Sequence, residues 1–243
     1  MFWQRHKTEH RMITLITYPG NNGFFSFSPF CVKAAYFLNA AGWDWCREDT
    51  NDPRKMPYQK LPVLRAVSRL IPDSENIRRH LEDHGADFDV GLSDAEKAHS
   101  HALIRMAEEH LYFHIVLDRW GNDAVWPTIR DVYFRDIPAF LRKFVANGIR
   151  RSLLKGLRTQ GLARLTVAER MDRLETDLTA ITALLWRHRF LLSDHPTAAD
   201  YSVGAMLGAM RDTPVETDLT RRIMDDPVLS VYIDRLGQPV APT

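Results

Sequence analysis

The chain has 243 residues, 45% of them hydrophobic and 26% charged, which is enough apolar content to bury a core and a length that suits two domains. Its formal net charge is +1, so no whole-molecule field recruits nucleic acid or an anionic membrane. Two cysteines, Cys31 and Cys46, cannot build a disulfide framework, and no stretch approaches the roughly 20 apolar residues of a spanning helix; a soluble cytoplasmic protein is predicted. The opening MFWQRHKTEHR is basic and polar, and the apolar run behind it is too short for a secretory core. ITLITYP, Ile13 to Pro19, is rich in β-formers and nearly continuously apolar, as a strand covered on both faces is. After the loop GNNGFFSF comes a helix that opens at Ser28-Pro29 and stops at Gly42. WDWCRED supplies a second strand, and KLPVLRAVSRLIP reads as two short strands joined by a tight turn. A helix from about Ser74 to His84 is stopped by Gly85.

From Gly91 onward the strand signals cease. Three helix starts share one form, Ser or Thr followed three residues later by an acid: Ser93–Glu96, Thr166–Glu169 and Thr197–Asp200. A further helix begins near Asp226-Pro227, with proline at its first position. Long amphipathic stretches such as AEKAHSHALIRMAEEHLYFHIVLDRW lie between them. The tail GQPVAPT reads as no anchor. The predicted organisation is an α/β domain over residues 12–87 followed by an all-helical domain over residues 92–237.

Several positions carry two readings. Ser28 before Pro29 is a good helix cap, and the same hydroxyl at a helix N-terminus is placed to stabilise a thiolate. Cys31, one turn further on, reads as a small buried residue, so a thiol chemistry would have to arrive on a ligand. Pro62 inside a strand pattern cannot donate to a ladder and by itself fits an edge strand. Asp73 and Ser74 open a helix and serve equally as caps or as an anion and ammonium site. His110 and His114, four apart on one helix face, make a candidate metal pair without a third ligand, and no metal site is predicted.

A β-α-β-β-β-α region feeding an all-helical one resembles the glutathione transferase superfamily, in which a thioredoxin-like fold precedes a helical bundle. S-P-F-C-V-K from Ser28 is similar to the start of its catalytic helix, K-L-P-V-L from Lys60 to its cis-proline segment, P-D-S from Pro72 to its acid-serine pair, and P-T-A-A-D-Y from Pro196 to the box opening its buried helix. A narrower likeness, in S-F-S-P-F-C-V-K, E-E-H-L-Y-F and D-R-W, is to the failed-axon-connections and metaxin-like branch.

The resemblance implies glutathione as co-substrate, bound by Phe30, Lys60, Leu61, Pro62, Asp73 and Ser74. One of Arg54 or Lys55, with Lys55 preferred, joins Lys60 at the glycyl carboxylate. Ser28 would stabilise the thiolate for attack on a small electrophile, with Tyr18 as the reserve partner. It also implies a homodimer. The competing reading, from the narrower likeness, is a non-catalytic binding or adaptor protein of the same fold.

Overall fold

The computed structural model describes residues 13–20, 23–67 and 69–241; the basic N-terminal stretch, Met12 at the expected domain start, Asn21 and Asn22 of the first loop, Ser68 and the last two residues of the tail lie outside the described residues. β1 (Ile13–Thr17) is central in a four-stranded sheet of order β2-β1-β3-β4. It pairs in parallel with β2 (Cys46–Asp49) and antiparallel with β3 (Val63–Ala66), so that Leu15 faces Arg47 on one side and Leu64 on the other. β3 pairs antiparallel with β4 (Arg69–Pro72). The central strand is the apolar one: Leu15 and Ile16 are both fully buried, as expected for a strand covered on both faces. β2, with sequence CRED, is a polar, mostly exposed edge, which protects the sheet from pairing with another chain.

α1 (Pro29–Ala40) follows β1 and buries nine residues, including the side chains of Cys31, Phe37 and Leu38. A helix apolar on nearly all sides must be sandwiched, and α1 packs on α2 (Ser74–Asp83) and on α8 (Ala198–Arg211). Gly20 in the preceding loop comes so close to the Phe24 carbonyl that a Cβ would lie 2.0 Å from its oxygen, so no other residue fits there. Between β2 and β3 the chain makes two 3-10 turns, Pro53–Lys55 and Pro57–Gln59, each opened by proline.

The helical part begins with α3 (Asp94–Met106). It runs on through a π-helical turn (Ala107–Leu111), α4 (Tyr112–Val116) and a second π-helical turn (Leu117–Gly121). α5 (Trp126–Tyr133), α6 (Ala139–Gln160), α7 (Val167–Leu185), α8, α9 (Asp218–Met224) and α10 (Pro227–Leu236) complete it. All three predicted boxes open helices, at α3, α7 and α8. Asp226 caps α10 by accepting from the Val228 and Leu229 amides. α5 and α6 carry no such signal.

α8 is the hub of the helical part, with twelve of its residues buried and α1, α3, α9 and α10 packed around it. One cluster of buried side chains runs from Ile13 to Ile233, so sheet and helices share a core. The fold is thus a thioredoxin-like α/β unit followed by an all-helical one. Among the described residues no helix is long and apolar enough to cross a membrane.

Candidate active site

A cleft of about 850 Å³ lies between the N-terminal end of α1, the β3 entrance and the α3–α6 helices. Its volume is within the range of small-molecule sites. Ser28 lines it at the N-cap of α1, in extended conformation, and its side chain makes no capping hydrogen bond. The helix start is instead held by the Ser28 carbonyl, which accepts from the Cys31 and Val32 amides at 3.0 and 3.2 Å. Pro29 has no amide hydrogen to offer. The Phe30 amide, next in line, has no hydrogen-bond partner among the described residues. A hydroxyl that caps nothing, with the buried Cys31 thiol as its neighbour, and a backbone N–H therefore stand at the positive end of a 12-residue helix that borders the cleft.

The loop before Ser28 is fixed from two sides. Ser26 donates its hydroxyl to the Tyr18 carbonyl at 2.7 Å and accepts from the Ser28 amide at 3.2 Å. Arg119, buried in the second π-helical turn, donates to the Phe27 and Ala209 carbonyls and to Thr213 Oγ1. Cys31 is fully buried beneath this loop; burial pushes its thiol up, and the neighbouring hydroxyls of Thr17, Ser28 and Ser26 only partly offset that. It is an inert core residue, as its sequence position suggested.

Across the cleft, the Leu61–Pro62 peptide is cis. The Pro62 carbonyl accepts from the Asp73 amide at 3.1 Å, whereas the Leu61 amide and carbonyl have no hydrogen-bond partner among the described residues. Asp73 sits at φ 76, a left-handed value rare for a non-glycine residue, and its carboxylate accepts from the Glu75 amide at 2.8 Å to cap α2. Strain of this kind is concentrated at binding sites. Lys60 also lines the cleft and has no ion pair among the described residues. Asp73, Glu75, Glu108 and Glu109 make this end acidic, with Arg105 among them. The rest of the wall includes aromatic and apolar side chains from the helical part, among them Tyr112, Phe113, Val116, Trp120, Tyr133 and Ile149.

Tyr18, Ser28, Phe30, Lys60, Leu61, Pro62 and Asp73 thus share one cleft. Two expected residues lie apart from it. Ser74 is 2% exposed behind Asp73, and Lys55 points elsewhere while Arg54 takes the lining position. The Arg54 guanidinium forks onto Asp52, both contacts at 2.7 Å, so a ligand carboxylate there competes with an internal one. Tyr18 packs edge-on against Tyr133, ring centroids 5.2 Å apart, and burial raises its phenol far out of the titrating range. His110 and His114 face away: His110 is bound to Asp177, and His114 lines a second cavity of about 590 Å³. Among the described residues no group of three or more His, Cys, Asp or Glu side chains is placed to hold a metal.

A family model for the glutathione S-transferase N-terminal domain matches residues 29–126, and one for the glutathione S-transferase C-terminal domain matches residues 165–235. The chain belongs to the glutathione S-transferase family. A curated relative in this family, the isoprene-epoxide glutathione S-transferase of Rhodococcus sp. (strain AD45), is 26% identical over 233 residues, spanning 93% of this chain and 98% of the relative. Among solved structures, glutathione transferase GSTFuA3 from Phanerochaete chrysosporium superposes with a TM-score of 0.64 at 17% identity, over 93% of this chain and 96% of its own. Glutathione transferase F7 from Populus trichocarpa gives 0.60 at 14%, over 94% and 95%. These structural likenesses carry the fold; the narrower metaxin-like resemblance is not reached by them.

Sequence reasoning missed several lining residues of this family member. Tyr133 carries no signal, because a lining tyrosine looks like any other until the helices are packed, and Arg119 enters only within the D-R-W likeness, with no role at the site. Glu108 had one faint sign, its place in the amphipathic stretch on the inward face. Both buried charges, Glu108 and Arg119, project from the two π-helical turns, where an extra residue per turn shifts which side chain faces inward.

Proposed function

We propose that the cleft binds glutathione and activates its thiol for attack on a small apolar electrophile, with an epoxide as the favoured class. The observation that carries this reading is the Ser28 hydroxyl, which lines the cleft at a helix N-terminus and is not consumed in capping that helix. The relative named for isoprene epoxide and glutathione supports the choice of electrophile.

In this reading the cysteinyl backbone of glutathione pairs with the Leu61 amide and carbonyl as an added strand. Lys60 meets the glycyl carboxylate, joined by Arg54 as it exchanges Asp52 for the ligand. The Asp73 carboxylate meets the γ-glutamyl ammonium, and the backbone amide of Ser74, whose side chain is buried, is the first-turn donor left for the γ-glutamyl carboxylate, the Glu75 amide being taken by Asp73. The Ser28 hydroxyl and Phe30 amide donate to the sulfur, which loses its proton to solvent as the helix dipole favours the anion. The thiolate then forms a carbon–sulfur bond to one ring carbon of the epoxide. The carbon–oxygen bond breaks, and the alkoxide takes a proton from water to give a hydroxy thioether. The apolar wall of Phe113, Val116 and Ile149 packs the hydrocarbon part. The reading extends to a cytoplasmic homodimer, supported by two cysteines that form no disulfide and by two-fold association as the commonest oligomeric form.

Ultraviolet titration of bound glutathione tests the assignment. The wild-type complex is expected to titrate below the ~8.5 of an ordinary thiol, and the Ser28→Ala complex about one unit higher than wild type. Glutathione affinity should change far less, since the ground state keeps its other contacts. Identical titrations would transfer the role to Tyr18, to be tested as Tyr18→Phe. Calorimetry that detects no glutathione binding at low millimolar ligand would remove the transferase reading as a whole.

A further inference from the structure

α6 (Ala139–Gln160) carries six Lys or Arg and no Asp or Glu, inside a chain whose net charge is +1. Two of the six are occupied: Arg150 by Asp123 and the Trp120 and Gly121 carbonyls, Arg142 by the Arg135 and Ile137 carbonyls. Lys143, Arg151, Lys155 and Arg158 form no ion pair among the described residues. On the same helix Phe140 is 83% exposed, Phe144 77% and Leu141 44%. Isolated exposed apolar residues are common, but two phenyl rings four residues apart share one face.

The helical period sorts these residues. At about 100° per residue, Phe140, Phe144, Arg151 and Lys155 fall within about 60° of one another on the outer face. Ala146 and Leu157, the buried residues of α6, lie on the other side. Val145, Ile149 and Leu153 turn toward the cleft and line it. One helix therefore presents its inner face to the candidate active site and an aromatic, basic face to the outside.

We propose that the outer face of α6 docks on an anionic lipid membrane, with Phe140 and Phe144 entering the interfacial layer, and Arg151 and Lys155 on that face, with exposed Lys143 at its border, meeting lipid phosphates. Aromatic residues beside uncompensated cations are the composition of helices that lie in the plane of a membrane interface. A protein groove would ask for an apolar stripe continuing at i+7 and beyond, whereas here positions 147, 151 and 155 are Asn, Arg and Lys. The docking itself does not depend on the glutathione reading.

The test is co-sedimentation of the full chain with phosphatidylcholine vesicles, with and without phosphatidylserine. Binding is expected only with phosphatidylserine present, weakening as salt rises. Phe140→Ser/Phe144→Ser should reduce it severalfold. Lys143→Glu/Arg151→Glu/Lys155→Glu should abolish it, since each lost cation costs about fivefold. All three substituted cations and both phenyls are solvent-exposed and outside the cleft, so both variants should keep wild-type glutathione conjugation with a water-soluble electrophile, which also reports their folding. Equal binding to neutral vesicles, no binding to either, or unchanged binding by both variants would overturn the proposal. So would a wild-type dimer that Phe140→Ser/Phe144→Ser splits, which would reassign the face to a contact between copies, or binding to a polyglutamate peptide without binding to vesicles.

Discussion

A serine that opens a helix ordinarily turns its hydroxyl back onto its own backbone, as Ser93 and Thr166 do here by accepting from the Glu96 and Glu169 amides. Ser28 does not, and that difference separates a structural residue from a candidate catalytic one. Removing a cap costs about 0.5–2 kcal/mol, so Ser28→Ala should cost less than that range while altering the thiolate titration. His114 offers a second residue-scale prediction. It is 4% exposed, its Nε2 has no hydrogen-bond partner among the described residues, and burial, with help from His110 and Arg170, lowers its pKa to about 4. An unfolded histidine titrates near 6.5. Between those values the unfolded chain binds a proton that the folded one refuses, so stability is lost as pH falls, by about 3 kcal/mol in all. Urea midpoints at pH 6.5 and 4 should therefore fall further for wild type than for His114→Leu. Equal falls would mean that the folded protein tolerates the charged imidazole.

Elements that share a motif do not share its cost. The box at the start of α3 is exposed, whereas that at α8 is buried: Asp200 is 0% exposed and accepts from the Leu191 and Thr197 amides and the Thr197 and Tyr232 hydroxyls. Asp200→Ala strands four donors in the core, each worth about 1–3 kcal/mol unsatisfied. Chemical denaturation should show a loss of at least ~3 kcal/mol for Asp200→Ala and about 1 kcal/mol for Ser93→Ala. Comparable losses would show that burial adds nothing to this motif. The same contrast explains why α5 and α6 went unread. Their first turns carry no capping box, and tertiary contacts rather than local signals hold them.

At the scale of the molecule, one buried ion pair ties the two parts together. Lys33 on α1 is fully buried and bonds Glu108 of the first π-helical turn, with Glu75 of α2 at 3.6 Å; Glu108 also receives Ser202 of α8 at 3.0 Å. Breaking a buried pair from one side costs about 3–5 kcal/mol where the remaining charge is left bare; Glu108 keeps Arg105 at 2.5 Å, so the loss should sit at the low end of that range. Lys33→Met should lower the melting temperature markedly, and Lys33→Met/Glu108→Leu should recover part of the loss. Wild type is expected to unfold in a single transition, since core and ion pair run through both parts. Two separate transitions would show that the parts are energetically independent. Sedimentation distinguishes a 28.1 kDa species from its double.

By itself the sequence determined the order of strands and helices in the α/β part, the opening of α1 at Ser28, the three boxes and the cis-proline segment as one of two readings. Each of these depends on residues a few positions apart, where caps, turns and periodicity act. Tertiary structure alone decided that β1 is central, that Arg54 rather than Lys55 faces the cleft, and that Arg119 and Tyr133 reach Phe27, beside Ser28, from about a hundred residues away. It also decided that four of the six cations of α6 form no ion pair among the described residues and stand on a helix with exposed phenyls, which a net charge of +1 conceals. Side-chain direction within an element follows from its period, but which faces meet depends on how helices and sheet exclude water together, and no local stretch of chain contains that.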